Sequence, residues 1–152
     1  MTSTIFTTVL IAMAPVSELR GAIPFGIFSG IPPAFTYLLA VFGNFLPVFP
    51  LLYFLKYGSE LASKKSAFVR KVLEWVFART RKKHGEKFET FGFWALLVFV
   101  AVPLPLTGAW TGAVIAYLIG MPIKKAGFAI LGGVALSGAI VLALTVGFTR
   151  LF

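Results

Sequence analysis

The sequence contains no cysteine, one histidine and only five acidic residues in a chain of 152. Without cysteine, neither a disulfide nor a thiolate metal site can form. The histidine, His84, lies in a run of basic residues, where a solvated surface side chain is the ordinary interpretation. The long apolar segments hold no pair of carboxylates for a metal and no histidine to accompany a serine. We therefore predict that the chain is not an enzyme and has no catalytic residues, metal or cofactor.

Charge is scarce as well: 12% of the residues are charged and 59% are hydrophobic, with a mean hydropathy of +0.93. This composition excludes an ordinary soluble domain and predicts a single integral membrane domain. The net charge of +9 would suggest nucleic acid binding if it were spread over a soluble surface. Ten of the fourteen Lys and Arg residues instead lie between Lys56 and Lys87, so we expect no nucleic acid partner.

Two charged residues interrupt the first apolar region. Glu18 and Arg20 are the only charged residues among the first 55, and Pro15, Gly21 and Pro24 surround them. An ionisable residue inside a membrane is costly, so it usually faces the protein interior or a watery cavity and serves transport. Non-helical backbone at membrane depth likewise survives only inside protein or along a cavity. Glu18 and Arg20 are therefore predicted to belong to a transport site.

The apolar runs on either side of this break are too short to cross a membrane. Residues 4–14 make about 17 Å of helix against a hydrocarbon core of about 30 Å, and residues 21–30 are also too short. We predict a re-entrant hairpin over about residues 4–30, with the two charges at its tip. One long broken crossing is the competing interpretation. A signal peptide is disfavoured because no Lys or Arg precedes the segment ending at Ala14.

Residues 34–55 are long and apolar enough to form a transmembrane helix. Pro47 and Pro50 predict a kink in this helix, because proline removes a backbone hydrogen bond. Asn44 is a candidate substrate contact, although a hydrogen bond between helices is the commoner role of an asparagine in a membrane.

Residues 58–89 differ in character from the rest of the chain. Apolar residues recur there at helical spacing among many basic ones, which predicts a basic amphipathic helix in the membrane interface. Such a segment either recruits anionic lipid or anchors the topology, and the second role is the commoner.

The second half of the chain repeats the pattern of the first. A broken hairpin over about residues 91–120 precedes a final helix over about residues 126–148. Three residues of the first half match a residue ninety positions later: Gly30 with Gly120, Pro32 with Pro122 and Gly43 with Gly133. Gly21 also matches Gly108 if this offset is shortened by three residues. These matches favour an internal duplication. The final helix also carries small residues at four-residue spacing, expected to pack against the helix of Gly43: Ala129, Gly133 and Ser137.

The distribution of charge predicts how the repeats, 1–57 and 90–152, are oriented. If each hairpin is re-entrant, residues 58–89 and the pair Lys124 and Lys125 face one side, which the positive-inside rule makes cytoplasmic. Each repeat then crosses the membrane once, so the repeats are inverted and both termini lie outside. If both helices of each hairpin instead cross the membrane completely, the termini and residues 58–89 lie on the same sides as before, and this alternative stays open.

Two motifs carry a resemblance to a known family. They read Pro15-x-x-Glu18-Leu-Arg20-Gly21-Ala-Ile-Pro24 and Pro103-x-Pro105-x-Thr107-Gly108-Ala-Trp110-Thr-Gly112. Over essentially the whole chain, the sequence resembles the small multidrug export proteins, a family related to the DedA/VTT membrane proteins. The resemblance implies a multi-pass inverted repeat of re-entrant hairpins and transmembrane helices in a prokaryotic plasma (inner) membrane.

The same resemblance implies kinship with lipid scramblases or with proton-coupled transporters of polyprenyl phosphate carriers. Glu18 matches the acidic residue of the first hairpin in DedA-type proteins. The second hairpin of this sequence lacks the arginine that those proteins carry there.

If the two hairpin tips meet within the membrane, they form a polar cluster suited to an anionic headgroup. The Arg20 guanidinium offers a fork for phosphate, helix N-termini favour anions, and Glu18 can carry a coupling proton. The predicted substrate-binding or proton-coupling residues are Glu18, Arg20, Gly21, Asn44, Thr107, Gly108, Trp110 and Thr111. The predicted hairpin breaks are Pro15, Pro24, Pro103 and Pro105.

The predicted function is therefore transport or translocation of a phosphate-bearing lipid, with membrane lipids and protons as partners. A drug/proton antiporter is the first alternative, although Arg20 would repel a cationic substrate. A non-transporting assembly protein is the second alternative, in which Glu18 and Arg20 only neutralise each other. Monomer and homodimer both stay open.

Overall fold

The computed structural model describes residues 2–65, 67, 70–71, 74–75, 86–104 and 107–151. Within that part of the chain the regular structure is helical and contains no strand, which confirms the all-α prediction. In chain order we number the helices α1 (Thr2–Met13), α2 (Glu18–Phe28), α3 (Pro33–Phe45), α4 (Val48–Lys65), α5 (Glu86–Ala101), α6 (Ala109–Leu118) and α7 (Ile123–Leu151).

The short apolar runs form two pairs of short helices. Helix α1 has 12 residues and α2 has 11, and the two pack against each other across a break at residues 14–17. Helices α5 and α6, of 16 and 10 residues, form the second pair. A 12-residue helix is about 18 Å long, which is well short of the hydrocarbon thickness of a bilayer.

The second helix of each pair ends in the same way. Gly30 has φ +85° and Gly120 has φ +71°, which is backbone geometry that favours glycine. At both ends the glycine N–H donates to the carbonyl three residues earlier, and the next N–H donates to the carbonyl five residues earlier. These bonds satisfy carbonyls that a helix end leaves free. Helix α2 ends at Phe28 and α6 ends at Leu118, ninety positions later. The two helix ends therefore match at the same offset as Gly30 and Gly120.

Two stretches are long and apolar enough to cross a membrane: Pro33–Ser59, which includes α3 and the first part of α4, and Ile123–Thr149 in α7. Their mean hydropathies are 2.0 and 2.3. The first stretch is broken at Leu46 and Pro47, where the predicted kink lies. Helix α4 continues to Lys65, well past the predicted end at residue 55.

Two glycines allow close packing between helices. A β-carbon at Gly43 would lie 3.0 Å from the Val9 carbonyl oxygen, so α3 sits directly on α1. A β-carbon at Gly133 would lie 2.7 Å from the Leu97 carbonyl oxygen, so α7 sits directly on α5. The nearest neighbours of Gly133 thus lie on α5 rather than on the helix of Gly43, although α7 does pack against that helix as predicted.

Helices α3 and α7 meet at other residues. A β-carbon at Gly138 would lie 3.0 Å from the Tyr37 ring, and the Tyr37 hydroxyl donates to the Ala135 carbonyl at 3.0 Å. The two halves are joined further because α2 packs against α7 and α4 packs against α6.

Many large apolar side chains point outward from this bundle. Examples that are more than half exposed are Phe6, Leu38, Phe42, Phe54, Phe91, Phe128 and Leu144. An exposed apolar surface of this extent is typical of contact with lipid rather than water. The protein is therefore associated with the membrane.

The predicted amphipathic segment at residues 58–89 is described in part. Residues 58–65 belong to α4 and residues 86–89 to α5, and residues 67, 70–71 and 74–75 between them are also helical. Arg70 Nε lies 3.8 Å from Glu74 Oε1, and both side chains are exposed. A pair with this spacing is typical of a solvated helix surface.

Candidate functional site

Glu18 begins α2 in an unusual backbone conformation. Its φ is +46°, the only positive φ at a non-glycine residue in the described part of the chain. The Ser17 hydroxyl donates to the Ile11 carbonyl at 2.8 Å and the Glu18 N–H donates to the Ala14 carbonyl at 3.1 Å, so the break stays bonded to α1. Because non-glycine residues with such backbone cluster at functional sites, Glu18 is the first candidate for function.

The Glu18 side chain is buried, with 6% of its surface exposed. It points to the second helix break, which is the segment between α5 and α6 at residues 102–108. Its carboxylate lies against Gly108 and near the backbone of Ala109 and Trp110, at the start of α6. The first N–H groups of a helix have no partner within it and favour negative charge. Glu18 of one break therefore lies at the N-terminus of the helix that follows the other break.

Gly108 makes room for this carboxylate. A β-carbon at position 108 would overlap Glu18 Oε2, and the backbone has φ +149° and ψ −166°. Essentially only glycine adopts this conformation. Gly108 thus supports the site through its missing side chain rather than by binding a ligand.

Arg20 lies beside Glu18 and contacts both breaks. Its Nη2 lies 3.4 Å from Glu18 Oε2 and donates to the Thr107 carbonyl at 3.3 Å. Its side chain is 25% exposed. Within the described residues both contacts use Nη2, so Nε and Nη1 have no protein partner there. Since guanidinium carries five N–H donors, Arg20 keeps capacity for an anionic ligand.

A cavity of about 470 Å³ opens at this ion pair. Val16, at its edge, is 87% exposed, so the cavity communicates with the surroundings of the protein. The lining residues are Pro15, Val16, Ser17, Glu18, Arg20, Gly21, Thr107 and Thr111. Five predicted site residues thus line one cavity: Glu18, Arg20, Gly21, Thr107 and Thr111.

The polar residues of the second break differ in their availability. The Thr107 hydroxyl donates to the Val102 and Leu104 carbonyls at 2.6 and 2.8 Å, so it holds the loop in shape. Thr111 makes no side-chain hydrogen bond to the described residues and is the freer of the two. Trp110 Nε1 donates to the Met13 carbonyl at 3.0 Å, which ties the second break to the end of α1.

The other predicted site residues lie elsewhere. Asn44 is 1% exposed and does not line the cavity, and its Oδ1 has no hydrogen-bond partner in the described residues. Pro24 lies within α2, so the prediction that it breaks the hairpin is wrong, whereas Pro103 lies in the loop after α5 as predicted. Pro105 lies outside the described residues.

Ser17 and Val16 line the cavity but were not among the predicted site residues. The sequence held one signal for Ser17, since serine directly before a helix is a common N-terminal cap. It held no local signal for Val16, because an apolar residue in a break does not differ from its neighbours. No group of three or more His, Asp or Glu side chains that could hold a metal occurs in the described residues.

The sequence model of one protein family matches residues 18–140 of the 152. That family is described as "Putative small multi-drug export protein". The match begins at Glu18 and covers both sides of the cavity. No curated protein and no solved structure matches this chain.

Proposed function

Because this chain belongs to the small multi-drug export protein family, we propose that it is a membrane transporter whose substrate enters the cavity at Glu18 and Arg20. The observation that carries the proposal is the meeting of two helix breaks around a buried ion pair beside an open cavity. Buried charges at helix breaks in a membrane protein are typical of transport sites. The family name, which speaks of export, agrees with transport in general. We do not propose a catalytic function.

The architecture we propose is an inverted repeat, with re-entrant hairpins α1–α2 and α5–α6. Corresponding contacts support it: α1 packs on α3 as α5 packs on α7, and α2 packs on α7 as α6 packs on α4. Gly43 and Gly133 have equivalent roles in these contacts, and Gly30 and Gly120 end equivalent helices. In this arrangement each half crosses the membrane once.

The topology we propose places residues 58–89 in the cytoplasm and both termini outside, in a prokaryotic plasma membrane. The support is the charge distribution, since Lys124 and Lys125 lie at the start of α7 and would share a side with the basic segment. The positive-inside rule assigns that side to the cytoplasm.

The substrate we propose is a lipid with an anionic, phosphate-bearing headgroup, in the manner of DedA-like lipid or polyprenyl phosphate transporters. Arg20 lines the cavity and has N–H donors without a partner among the described residues, and the N-terminus of α6 lies at the same place. Both features favour a phosphate oxygen. Val16, which lines the cavity and is 87% exposed, offers an apolar contact for the lipid tail.

Proton coupling through Glu18 is part of the proposal. A carboxyl group beside an open cavity can exchange protons with the solution that enters it. Glu18 also holds both Arg20 and the start of α6, so its protonation changes the contacts of the groups that would bind the headgroup. Protonation of Glu18 and binding of an anion to Arg20 therefore affect each other.

A drug/proton antiporter is the second candidate, because the family description speaks of multi-drug export. In that function a cationic drug would bind Glu18, which already pairs with Arg20 and lies at the N-terminus of α6. A cation in the cavity would also face the Arg20 guanidinium at close range. This charge arrangement favours the anionic substrate. A non-transporting assembly protein is the third candidate, and it would not need the cavity.

Lipid movement in proteoliposomes tests the proposal. We expect the purified protein to move fluorescent phosphatidylglycerol between leaflets, and we expect Arg20→Ala to abolish the movement. The matched control is Arg70→Ala, which removes an arginine whose side chain is exposed on the basic segment. If wild type and empty vesicles move the lipid at equal rates while a cationic dye is exported, the antiporter is the correct function.

A further inference from the structure

Resting on the proposed transport of an anionic lipid, we infer that Glu18 takes up one proton for each singly charged anion that binds Arg20. The cavity is then electrically neutral when empty and neutral again when loaded. The inference goes beyond coupling as such, because it sets the number of protons and the charge of the substrate.

The empty site is a neutral pair. Glu18 and Arg20 are 3.4 Å apart and are the only titratable residues among the described residues that line the cavity. Among the side chains that the structure describes, the helices packed against α2 bring no further charge to it. Helix α1 has no charged residue, and α3 offers only Tyr37, whose hydroxyl is bonded to the Ala135 carbonyl. The lysines of α7, Lys124 and Lys125, are exposed at its start.

An anion added to this pair would leave one unbalanced negative charge. The Glu18 carboxylate is 6% exposed and already pairs with Arg20. Two anions would therefore compete for one guanidinium in a partly buried site. An unbalanced buried charge is strongly disfavoured. A proton on Glu18 removes the excess charge and leaves Arg20 to pair with the anion.

Coupling follows from these two neutral states. A site holding the anion without the proton is negative, and a site holding the proton without the anion leaves Arg20 uncompensated. Both states are disfavoured, so the proton and the anion bind together. The same reasoning selects the substrate: a phosphodiester, with one negative charge, balances Arg20, whereas a doubly charged phosphate monoester needs a second proton.

Proton counting on the intact protein in detergent tests the inference. The probe is dihexanoyl phosphatidylglycerol, a soluble phosphodiester whose own charge is constant over about pH 5 to 9. Calorimetry in buffers of different ionisation enthalpy gives both its affinity and the protons taken up. Where Glu18 is ionised, we expect uptake to approach one proton per lipid and affinity to fall about tenfold per pH unit. We expect Glu18→Gln to take up none and to bind independently of pH.

The matched control is Glu74→Gln, which removes an exposed acid of the basic segment and should keep the wild-type proton count. Binding by wild type without proton uptake at any pH in this range would overturn the inference and leave the anion transporter standing. No binding by folded wild type at any pH, or equal binding of zwitterionic dihexanoyl phosphatidylcholine, would overturn the anionic substrate as well. If Glu18→Gln does not fold, the wild-type count decides alone.

Discussion

The carboxylate of Glu18 occupies the space that a side chain at position 108 would need. A β-carbon there would overlap Oε2 and lie 2.6 Å from Cδ of Glu18. The two residues belong to different helix breaks, yet the identity of one restricts the other. Position 108 therefore needs glycine for two reasons: glycine leaves room for the buried Glu18 carboxylate, and it adopts the local backbone conformation.

Gly108→Ala should destabilise the protein and abolish transport together. The strained backbone alone costs about 1–3 kcal/mol, and the added β-carbon would displace the Glu18 carboxylate from the start of α6. Thermal unfolding in detergent and lipid movement in proteoliposomes measure the two effects. The matched control is Gly147→Ala, at a helical position with nothing within 4 Å of the added atom, where we expect unchanged or slightly higher stability.

An alanine at 108 with wild-type melting and transport would contradict the contact between Glu18 and Gly108. A second variant makes the test more specific: Glu18→Asp shortens the acid by one methylene. We expect it to recover part of the stability lost in Gly108→Ala, because the two positions are in contact and their effects should not add.

The variants Glu18→Gln and Arg20→Ala test whether the two residues of the ion pair have different roles. We expect Glu18→Gln to fold and bind anionic lipid but to lose pH-driven accumulation, since an amide does not titrate. We expect Arg20→Ala to lose binding. If the pair only pins the break, each single change should instead destabilise the fold by about 3–5 kcal/mol, because one buried charge is left unpaired.

The double variant, Glu18→Gln with Arg20→Ala, separates these outcomes. Melting temperature and transport are measured for all three variants under the same conditions. Stable but inactive single variants support the transport site. Recovery of transport in the double variant would rule the site out, because neither group could then be needed for the substrate.

Much of this fold could be predicted from local sequence. Runs of eleven apolar residues between glycines and prolines indicate short helices, and Gly30 and Gly120 end helices as expected. Glu18, Arg20 and Thr107 were expected to lie near one another if the two hairpin tips meet, and they line one cavity. These predictions depend on length, hydropathy and turn chemistry, which act over a few residues.

The tertiary contacts could not be predicted in the same way. Small residues at four-residue spacing indicate that Gly133 packs closely, but not that its partner is Leu97 on α5 rather than α3. Likewise, nothing near Trp110 indicates that its indole donates to Met13. Such contacts depend on how whole helices are arranged, and one sequence contains no direct record of that arrangement.

Gly133→Leu should disrupt the packing of α7 on α5. The added β-carbon would lie 2.6 Å from Val100 Cβ and 2.7 Å from the Leu97 carbonyl oxygen, and backbone cannot move aside as a side chain can. Overpacking of this kind costs about 1–3 kcal/mol or more. Melting temperature and size-exclusion profile measure it, with Gly147→Leu as the control in open space. A well-folded and fully active Gly133→Leu protein would argue against this interface.

Cysteine labelling tests the proposed topology in a chain that has no cysteine of its own. Single cysteines replace Ser3, Lys82 and Thr149, and intact cells are treated with a thiol reagent that does not cross the membrane. We expect positions 3 and 149 to react and position 82 to react only after lysis. The reverse pattern, with position 82 labelled in intact cells, would overturn the orientation.

If the site is neutral both when empty and when loaded, transport moves no net charge across the membrane, and this determines which driving force acts on it. A carrier that moves no net charge should respond to a pH gradient across proteoliposomes and not to a potassium diffusion potential set with valinomycin. Accumulation of fluorescent phosphatidylglycerol in one leaflet measures both responses. Accumulation driven by the potential alone would mean that charge crosses with the lipid, contrary to the proton count inferred above.

The contact between Glu18 and the start of α6 also has a consequence for biosynthesis. The ribosome completes the first half of the protein before it makes Ala109 and Trp110, at the start of α6. Until then, the Glu18 carboxylate lacks its neighbours from the second half, and incompletely folded intermediates are targets of chaperones and proteases. Arrival of the second half supplies these neighbours and forms the cavity in the same step. A chain truncated between the halves is therefore expected to be degraded, so that a cell accumulates only molecules in which the cavity is complete.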